Sequence, residues 1–177
     1  MNVFVIDYSQ DDPAKCTAAK MVKMGLATEV NKKWHASNTT VVLNPYSGQL
    51  LTPLDGEGRA GVKSLLAIDC SWNLAQEVFF RKIGGRHRRL PALLAGNPTN
   101  YSKLGILSSV EAVAGAMFIL GEEKEANEYL SLYKWGPTFA TLNHDPLQDY
   151  AKADSEEEMV EIERSYFPFL RPTVREI

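Results

Sequence analysis

The run SLLAIDCSW ends on Asp69, Cys70, Ser71 and Trp72, an acid, a thiol, a hydroxyl and an indole in consecutive positions. A carboxylate can take a proton, a thiolate can attack carbon, and an indole face attracts a cation. A cysteine nucleophile needs a base beside it, and His35, His87 and His144 stand at no spacing that supplies one to Cys70. The histidines show no metal-ligand spacing, and Cys16 and Cys70 form no CxxC pair, so no metal site is expected. Three other stretches offer polar groups to a ligand: Cys16-Thr17, LNP (43–45) and GNPTNYSKLGILSS (96–109). None is a familiar phosphate cradle. Neither a P-loop, a zinc-protease HExxH nor a GxSxG elbow is present, and a standard dinucleotide site is not expected.

An alternation of strands and helices must position these stretches. NVFVID (2–7) reads as a strand, and Asp12-Pro13 supplies an N-cap and first-turn proline for a helix through CTAAKMVKMG. TTVVLNP is a second strand ended by Pro45. SLLAIDCS is a buried strand, WNLAQEVFFRKI an amphipathic helix stopped at Gly84, and PALLAG another short strand. LSSVEAVAGAMFILG is a buried helix with Ser108 and Glu111 spaced as a capping box. Only helical patterns follow it: EEKEANEYLSLYKW, FATLNHDPLQDYAKA and DSEEEMVEIERSYF. The order predicts an α/β protein with a helical C-terminal end.

A chain of 177 residues, 45% hydrophobic and 23% charged, has the make-up of a globular protein of one domain or two small ones. No apolar run is long enough for a membrane span, and MNVFVIDYSQ lacks the pattern of a signal peptide, so a cytoplasmic location is expected. Net charge is uneven. Residues 1–100 hold twelve Lys/Arg against eight Asp/Glu (+4) and residues 101–177 hold seven against fourteen (−7), which together give the net −3. The basic half contains RKIGGRHRR (81–89), where Arg81, Lys82, Arg86, Arg88 and Arg89 surround a Gly84-Gly85 pair. That composition suits phosphate contacts, and equally a solvated loop.

Taken together, CTAAKMVKMG, LNPYSGQLLTPLD, AIDCSWN, RLPALLAGNPTNY and LSSVEAVAGAMFILG resemble, in order and spacing, the aminocarboxypropyltransferase family that modifies a hypermodified uridine of small-subunit ribosomal RNA in archaea and eukaryotes. The short form is similar to archaeal members. The resemblance implies S-adenosylmethionine as cofactor and a SPOUT-like fold: an N-terminal α/β part (1–90) and a C-terminal part (91–177) with a deep trefoil knot and C-terminal helices. A monomer is expected, with small-subunit ribosomal RNA as its partner.

The resemblance also implies site residues. Thr17 would hold the amino-acid end of the cofactor, and Ser109 would offer a backbone amide to the same carboxylate. Leu43 and Pro45 would flank the adenine on one side and Leu90 on the other, while Ile68 would present backbone groups to the ribose. Trp72 and Ala75 would bury the sulfonium methyl. Gly105 stands where the family often has a tyrosine, which leaves only a backbone contact there and makes Tyr101 a candidate for the missing ring. Asp69 is the acid placed to take the N3 proton of a uracil-type base, or else it caps the following helix. Residues 81–89 would clamp RNA, with Lys20 and Lys23 extending the surface. Two alternatives share these features: a knotted methyltransferase using the same cofactor, and an RNA-binding module without catalysis.

Overall fold

β-branched and aromatic residues make NVFVID the first strand, β1 (Asn2–Asp7). In the computed structural model of the protein, which describes residues 1–8, 16–58, 61–71, 77–79 and 83–169, it is joined by β2 (Thr28–Glu29), β3 (Thr40–Leu43), β4 (Ser64–Asp69) and β5 (Arg86–Arg88). All pairings are parallel, in the order β2-β1-β4-β3-β5. β4 is central, and its buried run SLLAI suits a strand covered on both faces. Because the strands are parallel, the segments leaving β1, β4, β3 and β5 all start from one edge, the usual ligand crevice of such sheets. Asp7 and Asp69 end neighbouring strands there in register.

Alternate strand residues divide between two apolar clusters. Ile6, Val42, Leu66 and Ile68 pack with Ala36 and Val78 on one face. Val3, Val5, Val41, Leu43, Leu65 and Ala67 pack on the other with the helices α1 (Thr17–Lys23), α2 (Ser109–Ile119), α3 (Glu123–Leu130), α4 (Gly136–Leu142), α5 (His144–Tyr150) and α6 (Glu156–Tyr166). α2 is apolar around nearly its whole circumference, and the reason is its place at the middle of that larger cluster. This cluster runs without a break across residue 90, so the two expected parts share one core.

Two differences from the sequence reading have physical causes. PALLAG does not join the sheet, because side chains from later helices take the place of a neighbouring strand. Glu163 accepts from Ala92 N (2.7 Å), the Tyr150 hydroxyl donates to Ala92 O (3.2 Å), and Asn143 accepts from Leu94 N (2.7 Å) while donating to Leu94 O (2.8 Å). β5 lies inside the basic cluster: Arg-His-Arg lacks strand patterning but pairs with Val41, Val42 and Leu43 at the sheet edge. The spaced glycines of GEGRAG (56–61) stand in the sequence before β4, and no helix opens at the described ones, as expected of a chain without a dinucleotide fingerprint. The expected Asp12-Pro13 helix start and most of WNLAQEVFFRKI lie outside the described residues. The described part of the first helix opens at Thr17 with Cys16 as N-cap, its Sγ accepting from Ala19 N at 3.2 Å.

Gly96 follows this held segment where the chain passes α4. A Cβ there would stand 2.6 Å from Phe139 N, so no larger residue fits without displacing backbone. Among the described residues no helix is long and apolar enough to cross a membrane.

Replacing Asn143 by Ala strands the Leu94 amide and carbonyl, and the free energy of unfolding in urea should fall by roughly 1–3 kcal/mol. A loss under about 0.5 kcal/mol, the range of ordinary surface substitutions, would refute the idea that this side chain replaces a strand.

Candidate active site

Asp69 stands at the carboxyl edge with both carboxylate oxygens engaged. The Cys16 thiol donates to Oδ2 at 2.9 Å and the Ser109 hydroxyl to Oδ1 at 2.7 Å. Cys16 caps α1 and Ser109 opens α2, so one carboxylate ties together the ends of β4, α1 and α2. A second tie runs beside it: Val110 N donates to Thr17 Oγ1 at 3.2 Å, and the Tyr133 hydroxyl to Thr17 O at 3.4 Å. Burial, and then the bond to Asp69, push the Cys16 thiol up to about 12. It therefore stays protonated at neutral pH and serves as a donor, not a nucleophile. Tyr133 is raised to about 12 as well, by burial first and then by Cys16 and Asp69.

The loop between residues 96 and 108 is fixed by a carboxylate deeper in the molecule. Glu111, fully buried, accepts from Gly96 N (2.7 Å), Asn97 N (2.9 Å), Asn97 Nδ2 (2.7 Å), Ser108 N (2.8 Å) and Ser108 Oγ (2.7 Å). A buried carboxylate is tolerable only with such compensation. In the sequence Glu111 is visible only as half of a capping box; in the structure it also joins both ends of the loop.

Several of the expected cofactor residues gather at this edge. Thr17 and Leu43 are buried, with Leu43 on the helix-covered face, and Pro45 is exposed just beyond β3. Leu90 is half-buried, follows β5 and packs against the same cluster as Leu43. The Ile68 side chain points to the opposite face, so only its backbone can serve a ligand on the helix side. Ser109 is the first residue of α2, whose first-turn amides lack intrahelical acceptors. Gly105 is exposed at φ +73 with open space where a Cβ would stand, a conformation that disfavours the tyrosine common in the family. Tyr101 is 57% exposed, so its ring is not packed into a slot. Trp72 and Ala75 lie outside the described residues.

The basic residues are placed differently from one another. Arg88 and Arg89 are engaged within the chain. Arg88 binds Asp55 through Nε (3.1 Å to each oxygen) and NH2 (2.9 Å), and Gln49 through NH1 (2.8 Å). Arg89 forks onto Glu163 at 3.0 and 3.4 Å. Asp55 and Glu163 are both buried, and a buried carboxylate stripped of its cation is strongly destabilising. Arg86 comes within 4.0 Å of Asp55. Lys20 turns onto the Leu132 carbonyl and the face of Tyr133, 4.2 Å from its centroid, whereas Lys23 is exposed. Arg81 and Lys82 lie outside the described residues.

The profile of the family described as "Ribosome biogenesis protein, C-terminal" matches residues 41–167. The 16S rRNA aminocarboxypropyltransferase of Sulfurisphaera tokodaii is 43% identical over 164 residues, 93% of this chain and 94% of that protein. The protein of the same description from Halobacterium salinarum is 40% identical over 166 residues, 94% of this chain and 96% of its own length. This chain belongs to the 16S rRNA aminocarboxypropyltransferase family. The structure described as the SAM-dependent rRNA:acp-transferase Tsr3 from Vulcanisaeta distributa is similar to it with a TM-score of 0.77 and 38% identity, covering 93% of this chain and 96% of that one. A second profile, "Possible Fer4-like domain in RNase L inhibitor, RLI", matches residues 1–33. That stretch contains Cys16 as its one cysteine, too few thiolates for an iron–sulfur cluster, so family membership carries the functional argument.

Unfolded Cys16 loses its proton above about pH 9, while the folded protein holds it to about pH 12. The stability this adds is therefore complete below pH 9 and is lost as pH rises toward 12. Thermal melts of the unsubstituted chain should fall over that range, and the Cys16→Ala variant should show a shallower alkaline slope. Iodoacetamide at about pH 8 should leave Cys16 of the native protein unmodified, since the thiolate is the reactive form. Rapid labelling there would contradict the protonated, buried thiol.

Proposed function

We propose that this chain transfers the 3-amino-3-carboxypropyl group of S-adenosylmethionine to N3 of a modified uridine or pseudouridine in small-subunit ribosomal RNA. The observation that carries this reading is the convergence of Thr17, Leu43, Leu90 and Ser109, from four separate stretches, on one sheet edge beside Asp69, in a chain of this family. The donor set fits the cofactor. Leu43 and Leu90 are apolar side chains of one cluster, at or just past the ends of neighbouring strands, suited to an adenine ring, and Ile68 has backbone groups at the strand end for a ribose. The Thr17 hydroxyl accepts from Val110 N and keeps its own proton to donate to a carboxylate. The Ser109 amide adds a second donor. Asp7 and Asp69 put acidic groups on the edge where a sulfonium is favoured.

Bound S-adenosylmethionine supplies an electrophilic carbon next to sulfur, with methylthioadenosine as the leaving group when the uracil nitrogen attacks. The residues of the chain orient and desolvate. Asp69 holds Cys16 and Ser109 and so positions the ends of α1 and α2; each of its oxygens keeps a second lone pair, on which it can also take the N3 proton as the nitrogen attacks. Trp72 and Ala75 keep the methyl-burying part that the resemblance gives them. The RNA segment must be unpaired for N3 to be reached.

The same reading includes the trefoil knot, supported by a chain path in which helices α4 to α6 hold the earlier segment at residues 92–94. It describes residues 1–90 and 91–177 as topological parts of one body acting as a cytoplasmic monomer on the small subunit.

Incubation of the chain and small-subunit RNA with S-adenosylmethionine labelled in the methionine carboxyl carbon should label the RNA, and methyl label should not transfer. Methyl label alone would replace this reading with methyl transfer, and no transfer of either label would leave an RNA-binding module. The Asp69→Asn variant should weaken cofactor binding by disturbing Thr17 and Ser109. Unchanged cofactor affinity with lost turnover would instead make Asp69 the base.

A further inference from the structure

We propose that the turn at residues 97–103 is a platform on which an unpaired base of the substrate RNA stacks, with Tyr101 as the stacking ring and Lys103 as the contact to a neighbouring phosphate. The proposal rests on the rRNA-modifying reading above and adds where the RNA strand lies.

The turn is held rigid from three directions. Asn97 Oδ1 accepts from Asn100 N at 2.9 Å, and Lys103 N donates to Asn100 O at 2.9 Å. Ser102 N donates to Ala95 O at 2.7 Å and Ala95 N to Lys103 O at 2.9 Å, pinning the tip to the segment held by Asn143. At its base the Glu111 carboxylate grips Gly96 and Asn97. Ser102 sits at φ 61, a left-handed conformation costly for a residue with a side chain, and such strain persists only where its surroundings impose it.

This rigidity holds a large aromatic ring in solvent. Tyr101 is 57% exposed and has no ring partner among the described residues. Single exposed aromatics are ordinary; one mounted on a pre-organised turn beside a reactive edge is not. Lys103 Nζ donates to the neutral Asn100 Oδ1 at 3.1 Å and meets no carboxylate among the described residues. Residues 96–110 contain no Asp or Glu, so nothing in this stretch repels a phosphate. The return limb leads into Ser108 and Ser109, and Ser109 touches Asp69, so the platform is joined through residues 104–108 to the edge where a splayed base must arrive. Aromatic stacking suits this task because it accepts any base while Lys103 anchors the backbone.

The test uses the full chain, an in vitro 16S rRNA transcript and S-adenosylmethionine, with RNA binding followed across a salt series and cofactor binding by calorimetry. Tyr101→Ala should weaken RNA binding by about 5- to 100-fold. Tyr101→Phe should bind RNA like the unsubstituted chain, and Lys103→Gln should lower the slope of log K against log salt by about 0.7–0.9. Cofactor affinity should be unchanged in all three. The platform is overturned if Tyr101→Ala binds RNA normally, if Tyr101→Phe is as weak as Tyr101→Ala, or if RNA and cofactor affinity fall together, which would put the ring in the cofactor slot. Because binding is the readout, transfer of no label by the unsubstituted chain would sink the proposed reaction without touching this result.

Discussion

A carboxylate removed from water needs hydrogen-bond donors for both oxygens, and Glu111 finds them at two points that are distant along the loop: the Gly96–Asn97 amides and Ser108. The requirement works in both directions. The loop amides need an acceptor because no strand lies beside them, and the acid needs the loop because it sits in an otherwise apolar helix. With the loop closed in this way, Ser109 begins α2 at a fixed place, and its hydroxyl can meet Asp69 at the end of β4.

The same device recurs along the chain from residue 89 to 96. Glu163 serves Arg89 and Ala92, Asn143 serves both backbone groups of Leu94, and Tyr150 serves the Ala92 carbonyl. In each case a polar side chain from a later helix satisfies an extended segment that has left the sheet. Burial of such side chains is stabilising only because their partners are complete, and among the described residues no buried side-chain nitrogen or oxygen lacks a hydrogen bond. The arginines of the basic cluster follow this logic. Arg88 and Arg89 neutralise buried Asp55 and Glu163, so the local richness in cations reflects the needs of internal acids as much as those of a partner.

Where apolar patterning decides the element, the sequence is easy to read. NVFVID, TVVL and SLLAID are strands and SVEAVAGAMFI is a buried helix because each buries half or more of its side chains. Illegible elements lack that signal. Thr28–Glu29 and Arg86–Arg88 are short and polar and owe their strand form to neighbours distant in sequence. PALLAG carries a strand-like composition yet pairs with later-helix side chains and with the turn at 102–105 in place of the sheet, partners that no local pattern reveals. At the sheet edge, resemblance points to Thr17, Leu43, Leu90 and Ser109, which patterning alone does not single out. Cys16 is legible only as a polar group for a ligand, Glu111 only as a cap and Tyr133 not at all, because a thiol donor, a buried acid and a phenol become significant only when packing shows what they touch.

The side chains that stand in for a strand arrive late. Asn143 follows Leu94 by 49 residues and Glu163 follows Ala92 by 71. During synthesis, the Ala92 and Leu94 backbone groups emerge long before the side chains that will satisfy them, whereas Leu93, Ala95 and Gly96 find partners sooner, at Gly105, Lys103 and Glu111. The strands and α1 can collapse early around local and near-local contacts, but the wall formed by residues 90–96 cannot set until the last helices are made. The segment beside this sheet edge is therefore completed last, and a chain cut short before α6 would leave the Ala92 amide and the Arg89 guanidinium without Glu163.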